Sequence, residues 1–378
     1  MSPRKAVLIH SADFDQYSYP AECPFRTQRA GMAYRTLLSM GLLSGHGQTV
    51  LAPQPADRAT LETFHSPRYM DTLELAVKGH MGVEGLHMGL GTPETPVFAC
   101  LCEYASLACG ATLLGVDQIV SGQADVAFNM SGGYHHADPA HAAGFCYIND
   151  VAIACLRLAE QGKRTLFLDV DAHHGDGVQR AFYGRSDVMT MSFHESGKTL
   201  FPGTGFEDEI GVGDGLGYSV NVPLPANTYD GAVLRALHAV ALPLVEAYAP
   251  DVIVLELGLD GLAGDPLAHL RLTNNAFAEV TSLVLGFGKP LLVTGGGGYH
   301  VDNTARGWAL AWSIISGEKA TQDLSLALGG VMLESTEWLG GLRDRAQIPD
   351  DVQRETVDRA IGATVDAVKA NVFGIHGL

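Results

Sequence analysis

The segment Leu166-Phe-Leu-Asp169-Val-Asp171-Ala-His173-His174-Gly-Asp176 is an apolar run that ends in three carboxylates and two imidazoles. The run reads as a buried strand. Alternate side chains of a strand share a face, so Asp171 and His173 converge on one side of its end, with Asp169 behind them. A carboxylate oxygen and an imidazole nitrogen are two of the three protein ligands of a catalytic zinc, whose fourth position is kept for water. The third ligand is expected from another strand end. Asp260, in Leu257-Gly-Leu-Asp260-Gly-Leu-Ala-Gly-Asp265-Pro, is best placed to supply it, although its type also suits a helix or turn cap.

A second cluster, Ser131-Gly-Gly-Tyr-His135-His136, sets two imidazoles after a pair of glycines that permit a tight turn. Amide hydrolysis at a metal needs a base for water and an acid for the leaving amine, tasks that imidazoles perform near neutral pH. Such histidines want carboxylate partners to fix tautomer and basicity, and Asp169 and Asp176 are candidates outside the ligand set. Gly295-Gly-Gly-Gly298-Tyr299 lacks the Gly-Lys-Ser/Thr ending or the Gly-x-Gly-x-x-Gly pattern of a nucleotide loop. Tyr299 instead suits donation of its O–H to a carbonyl oxygen as charge develops there.

The elements that must carry these clusters are visible as short apolar runs: Ala6–Ile9, Asp125–Phe128, Thr165–Val170, Val188–Ser192, Val252–Leu257 and Pro290–Thr294. Helical patterns alternate with them, at Arg29–Met40, Phe98–Leu114, Asp150–Gln161, Asp230–Tyr248, Asn275–Gly286 and Asn303–Ser316, and a tail helix is expected from Asp350 to Asn371. This predicts an α/β fold with a central, mostly parallel sheet covered on both faces. Each polar cluster follows a strand, which places all of them at the carboxyl edge where such sheets build their sites.

With 378 residues, 47% of them hydrophobic and 17% charged, the chain can bury a large core, and no linker, repeat or low-complexity tract divides it. A single domain over residues 1–378 is expected. The N-terminal apolar stretch is too short for a signal peptide, and no run approaches the ~18 apolar residues of a membrane span, so the expected location is cytoplasmic. The six cysteines lack paired metal-ligand spacing and are expected to be buried free thiols. A formal net charge of −18 argues against nucleic acid and anionic membrane as partners. It suits basic substrates such as lysine side chains or polyamines, and is equally the solubilising charge of a cytosolic protein.

Taken in order, Gly132-Gly-Tyr-His-His-Ala137, Gly144-Phe-Cys-Tyr-Ile-Asn-Asp150, Leu168-Asp-Val-Asp-Ala-His-His-Gly-Asp-Gly177, Phe201-Pro-Gly-Thr-Gly205, Gly258-Leu-Asp-Gly-Leu-Ala-Gly-Asp-Pro266 and Gly295-Gly-Gly-Gly-Tyr299 resemble the zinc-dependent histone deacetylase family. The likeness is nearest to its class I and acetoin-utilisation-protein branch and runs from about Arg29 to about Trp312. It implies an arginase-like fold with a parallel sheet of about eight strands.

The resemblance makes Asp171, His173 and Asp260 the ligands of zinc, or of ferrous iron, which the same donors suit. His135 and His136 become the general acid/base pair backed by Asp169 and Asp176, and Tyr299 the group that polarises the substrate carbonyl. Gly144, Phe145 and Phe201 would line a channel for a lysine stem, with Leu267 and Glu94 at its rim. A structural potassium ion would match Asp169, Asp171, His173, Ser192 and Phe193, and Arg29 would match the arginine of an internal cavity. Glu94 stands where class I relatives carry an aspartate. Leu259 and Gly261 flank Asp260 where alanine and Thr or Ser are frequent.

The implied activity is removal of acetyl or a longer acyl group from ε-N-acyl-lysine in a peptide or protein. Deacetylation of acetylpolyamines or other small N-acyl-amines is the alternative within the fold, and a catalytically silent binding protein the alternative outside it. A binuclear manganese hydrolase shares Asp171-Ala-His173, but Gly175 and Leu262 occupy positions where its further carboxylates are needed, so one metal is expected. Nothing in the residues bears on oligomeric state.

Overall fold

The computed structural model describes residues 4–317 and 341–378. Eight strands, β1 (Ala6–Ile9), β2 (Gln48–Leu51), β3 (Val126–Asn129), β4 (Thr165–Asp169), β5 (Val188–Glu195), β6 (Ser219–Leu224), β7 (Val252–Glu256) and β8 (Leu291–Thr294), form one sheet in the order β2-β1-β3-β8-β7-β4-β5-β6. Every pairing is parallel. The helices between them are α1 (Gln28–Ser39), α2 (Arg58–Leu61), α3 (Pro67–Val77), α4 (Val83–His87), α5 (Leu101–Val120), α6 (Asp150–Glu160), α7 (Asp176–Phe182), α8 (Asp230–Tyr248), α9 (Asn274–Gly286), α10 (Val301–Ile315) and α11 (Asp351–Val372).

The period-two alternation of a strand divides the core into two layers. Ala6, Leu8, Phe128, Leu166, Leu168 and Met191 pack with residues of α1, α8, α9, α10 and α11 on one face. Val7, Ile9, Ala127, Phe167, Val254 and Leu292 pack with α3, α5 and α6 on the other. Both faces are therefore apolar, which is why the strands read as continuous hydrophobic runs.

The six predicted strands are all present. The two that the apolar runs did not reveal are the sheet edges. β2 is only partly buried along its length, so it needs no apolar run. β6, Ser219-Val-Asn-Val-Pro-Leu224, is buried but interrupted by Asn221 and Pro223. A proline cannot donate to a ladder and is tolerated at an edge, and here α11 packs over that edge strand. Among the described residues one helix, α8, is long and apolar enough, by length and composition, to cross a membrane, although Asp230, Arg235 and Glu246 interrupt its apolar run. Its residues Ala232, Val233, Ala236, Leu237, Val240, Ala241, Leu244 and Val245 are buried in the protein core.

The order of the sheet accounts for the site. β3 and β4 are consecutive in the chain but are separated in the sheet by β8 and β7. The four polar clusters follow β3, β8, β7 and β4, four neighbouring strands, and so emerge side by side at the carboxyl edge.

Candidate functional site

Beyond β4 the chain is turned by its own carboxylates: the Asp171 N–H donates to Asp169 Oδ1 (3.0 Å) and the His173 N–H to Asp171 Oδ1 (2.8 Å). This brings His173 Nδ1 to 2.8 Å from Asp260 Oδ2 and 3.2 Å from Asp171 Oδ1. The three side chains are buried, and their donor atoms lie within 4.8 Å of one another. Gly258 and Gly297 make room for the carboxylates, because a Cβ at either would overlap Asp171 Oδ2 or Asp260 Oδ2. Backbone N–H groups of Gly297 (to Asp171 Oδ2, 2.6 Å) and Ala172 (to Asp260 Oδ1, 2.8 Å) fix their orientation.

Burial, followed by the charge of Asp171, pushes Asp260 up to about 7. For His173 burial opposes charge, but Asp260 and Asp171 outweigh it and lift the imidazole to about 10. Two buried carboxylates facing one imidazole are the donor set of a divalent cation, and these residues fit one.

His135 Nδ1 meets Asp169 Oδ2 at 3.1 Å, His136 Nδ1 meets Asp176 Oδ1 at 2.8 Å, and the two Nε2 atoms stand 3.0 Å apart. The loop that carries them is pinned by Asp150, whose carboxylate accepts the N–H of Gly133 (3.1 Å) and of Tyr134 (2.8 Å). Asp176 is held in turn by Arg180 Nη1 at 2.9 Å.

The pair is electrostatically split. Burial and the neighbouring His135 lower His136 to about 4. Burial also opposes charge on His135, but Asp169 and Glu256 together raise it well above the usual imidazole range. Two titrating neighbours driven apart in this way are suited to opposite proton-transfer roles.

A pocket of about 340 Å³ opens onto His136, His173 and Tyr299, walled by Phe145, Phe201 and Gly144. Phe145 adopts a positive φ of 66°, a conformation that costs a non-glycine residue about 1–3 kcal/mol. It is held there by the Tyr19 hydroxyl, which donates to its carbonyl (2.8 Å), and by its own N–H on the Glu94 carbonyl (3.1 Å). Leu267, Glu94 and Glu22 stand at the mouth. Tyr299 is oriented by its N–H on Asp265 Oδ2 (2.7 Å), and its ring packs 5.6 Å from that of Phe145.

Arg29, as its match implied, lies buried beneath the glycine loop, donating to the carbonyls of Gly298 (2.6 Å) and Gly296 (2.9 Å). Ser192 and Phe193 lie beside the β4 end through the Asp169↔Ser192 pairing, with the Ser192 hydroxyl 2.9 Å from His194 Nδ1.

The structure thus brings Asp171, His173 and Asp260, the two histidines with their carboxylates, Tyr299 and the pocket residues to one edge of the sheet, while Ser192 and Phe193 lie on the neighbouring strand. It adds several that were missed. Glu256, buried inside the last turn of an apolar strand, stands 3.4 Å from His135 Nδ1. A carboxylate in Val252-Ile-Val-Leu-Glu-Leu257 was the available signal. Arg180 could have been found from its i,i+4 spacing to Asp176 on one helix, whereas Asp265 and Asp150, which hold loop backbone N–H groups, and Glu22, on a loop, have no spacing that announces them.

Other buried histidines set the acid limit of the fold. His174 Nε2 faces Gln179 Oε1 (3.1 Å) and its Nδ1 the Thr204 hydroxyl (2.9 Å), while His194 Nε2 donates to the Gly205 carbonyl (2.9 Å). Burial lowers His174 and His65 to about 4 and His194 further. The unfolded chain binds protons at these sites below about pH 6.5 and the folded chain does not, so what these histidines contribute to stability is full above that pH and is lost toward pH 4. Each histidine is expected to cost up to about 3 kcal/mol at pH 4. The raised Asp260 carboxyl works in the opposite direction over the same range, so the check is a difference: urea titrations of the metal-free parent and of His65→Gln at pH 7.5, 5.5 and 4.5 are expected to show the parent's advantage shrinking toward acid, and a constant difference would contradict it.

Residues 23–315 match the histone deacetylase domain family. The acetoin utilization protein AcuC of Bacillus subtilis is 39% identical over 322 residues, covering 83% of this chain and 83% of its own length. Histone deacetylase RPD3 of Saccharomyces cerevisiae is 36% identical over 324 residues, covering 85% of this chain and 74% of its own. Among solved structures, a histone deacetylase homologue complexed with SAHA superposes with a TM-score of 0.85 at 33% identity, covering 97% of this chain and all of that one. The homologue from Aquifex aeolicus gives 0.81 at 34%. Motif order, the eight-stranded parallel sheet and these relatives agree: the chain belongs to the histone deacetylase family, in the company of AcuC and the class I enzymes.

Proposed function

We propose that the chain is a zinc-dependent amidohydrolase that removes acetyl or a longer acyl group from ε-N-acyl-lysine, working as one catalytic domain in the cytoplasm. Its relatives support a deacetylase acting on acylated substrates. The observation that carries the finer reading is the pocket, in which aromatic walls suited to an alkyl stem lead to Tyr299, His136 and His173. All six cysteines are free thiols, which accords with a reducing compartment, although Cys100 is exposed and Cys102 half-buried where burial was expected.

Asp171, His173 and Asp260 would hold the metal, zinc or alternatively ferrous iron. When bound, such an ion supplies Lewis-acid polarisation of the acyl carbonyl and activation of water. Tyr299 donates its hydroxyl to the same carbonyl as negative charge develops. His136, neutral at pH 7, takes the proton of the attacking water, with Asp176 holding its Nδ1 side. His135, protonated beside Asp169, delivers a proton toward the leaving amine. We assign a structural potassium ion to Asp169, Asp171, His173, Ser192 and Phe193, following the family resemblance.

Acylated polyamines form a second reading, favoured by the exposed Glu22 and Glu94 at the mouth, which suit a distant ammonium. Steady-state hydrolysis of matched acetyl-lysine peptides, longer acyl-lysine peptides and N-acetylpolyamines, with a hydroxamate chelator as control, tests both. Chelator-sensitive turnover of the lysine series is expected. Turnover of polyamines alone would replace the first reading with the second.

A further inference from the structure

Glu256 ends β7 in the middle of the sheet, fully buried. One carboxylate oxygen, Oε2, accepts the Thr294 hydroxyl at 2.9 Å. The other, Oε1, takes no hydrogen bond and stands 3.4 Å from His135 Nδ1, the atom that Asp169 Oδ2 engages at 3.1 Å. A buried oxygen left in this state costs free energy unless a working form of the protein engages it.

The surroundings are shaped to this carboxyl group. A Cβ at Gly133, whose φ is +97°, would lie 2.7 Å from Glu256 Oε1, and one at Gly296 would lie 3.0 Å from it. Gly133 belongs to the loop that carries His135 and His136, and Gly296 to the loop that carries Tyr299. The head of Glu256 therefore fills a space that both glycine loops leave open, and its free oxygen points to the back of the acid/base pair. The charged and titratable neighbours of this pocket are Asp169 at the end of β4, Asp171 just after it, Asp150 at the start of α6, and His135 with His136.

We propose that Glu256 is a positioning residue of the acid/base pair, a second carboxyl partner that shares the Nδ1–H of His135 with Asp169 and so keeps Nε2 directed at His136. This rests on the roles proposed above for the two histidines. A ring held on one side by Asp169 alone is free to pivot. With acceptors on two sides of Nδ1 it has one orientation, with its Nε2 standing 3.0 Å from that of His136. The same three groups, His135, Asp171 and Glu256, also have donor atoms close enough to hold a cation, so the test separates that outcome.

Glu256→Met keeps the length of the side chain and removes both acceptors, whereas Glu256→Gln retains an acceptor that can face His135 while its NH2 faces Thr294. Glu256→Met is expected to lower kcat by ~10-fold or more, within the span found for partners of this kind, with KM little changed, and Glu256→Gln to recover most of it. The readout independent of activity is the side-chain 15N–1H spectrum of histidine-labelled, metal-free protein, with His135 assigned by its loss in His135→Asn. The Nδ1–H signal of His135 is expected sharp in the parent and in Glu256→Gln, and broadened or shifted in Glu256→Met.

An unchanged His135 signal and unchanged kcat in Glu256→Met would overturn the proposal. So would loss of a second equivalent of bound metal on that substitution, which would make Glu256 a ligand. Should Glu256→Met not fold, Asp169→Ala decides on the spectrum: with Glu256 still accepting the Nδ1–H, the His135 signal is expected to remain visible, and its loss would mean that Asp169 alone holds the ring. Failure of the parent enzyme to turn over acyl-lysine would strike the proposed function, while the histidine spectra would still judge Glu256.

Discussion

Asp260→Ala is expected to abolish metal retention and to lower kcat/KM by more than about 100-fold, beyond what loss of a partner outside a ligand set costs. The expectation follows from the geometry at the end of β7. Asp260 Oδ2 faces His173 Nδ1 at 2.8 Å, and its Oδ1 is fixed by the Ala172 N–H at 2.8 Å, so the carboxylate is aimed rather than free. Without it, Asp171 and His173 remain as two donors, too few for a retained catalytic ion. Metal content by elemental analysis after gel filtration, measured with kcat/KM, checks both halves. An Asp260→Ala protein that carries a full equivalent of zinc would remove this residue from the ligand set.

Tyr299→Phe isolates a different contribution. The substitution removes one hydroxyl and leaves the ring against Phe145, with the backbone still anchored on Asp265. Loss of one donor to a developing oxyanion costs about 10²–10³ in kcat, roughly 2.7–4 kcal/mol. Such a loss is expected here with KM and metal content near those of the parent, because the hydroxyl acts in the transition state and not on the ground state. Tyr299→Phe retaining most of its kcat would mean that the hydroxyl makes no contact with the reacting carbonyl. A loss confined to KM would make Tyr299 part of the channel wall instead.

The central strands were legible because both of their faces are buried, which leaves continuous apolar runs such as Val252-Ile-Val-Leu255. The same reason hid the edges. β2 is part-exposed, and β6 carries Asn221 and Pro223, so neither shows the run that betrays a central strand. Helix α3 escaped notice although Ser66-Pro67 is a strong start signal, with the Ser66 hydroxyl accepting the Tyr69 N–H at 3.2 Å.

At the site, Asp171, His173, His135 and His136 stand out because chemistry-bearing types crowd into short segments after strands. Asp260 needed the sheet order as well, since it reaches the others only because β7 lies beside β4. Glu256 was masked by the strand that contains it: its apolar neighbours define the run, and the single carboxylate inside that run was the signal passed over. Glu22 comes from a loop without periodicity, and a rim residue of that kind has no sequence signature.

Zinc titrated into metal-free protein while hydrolysis of an acetyl-lysine peptide is followed tests the central claim most directly. Activity is expected to be absent without metal, to rise linearly with added zinc and to saturate at one equivalent per chain, the stoichiometry of a site made by Asp171, His173 and Asp260. Full turnover by the metal-free protein, or saturation only at two equivalents, would contradict a single catalytic ion held by those three side chains.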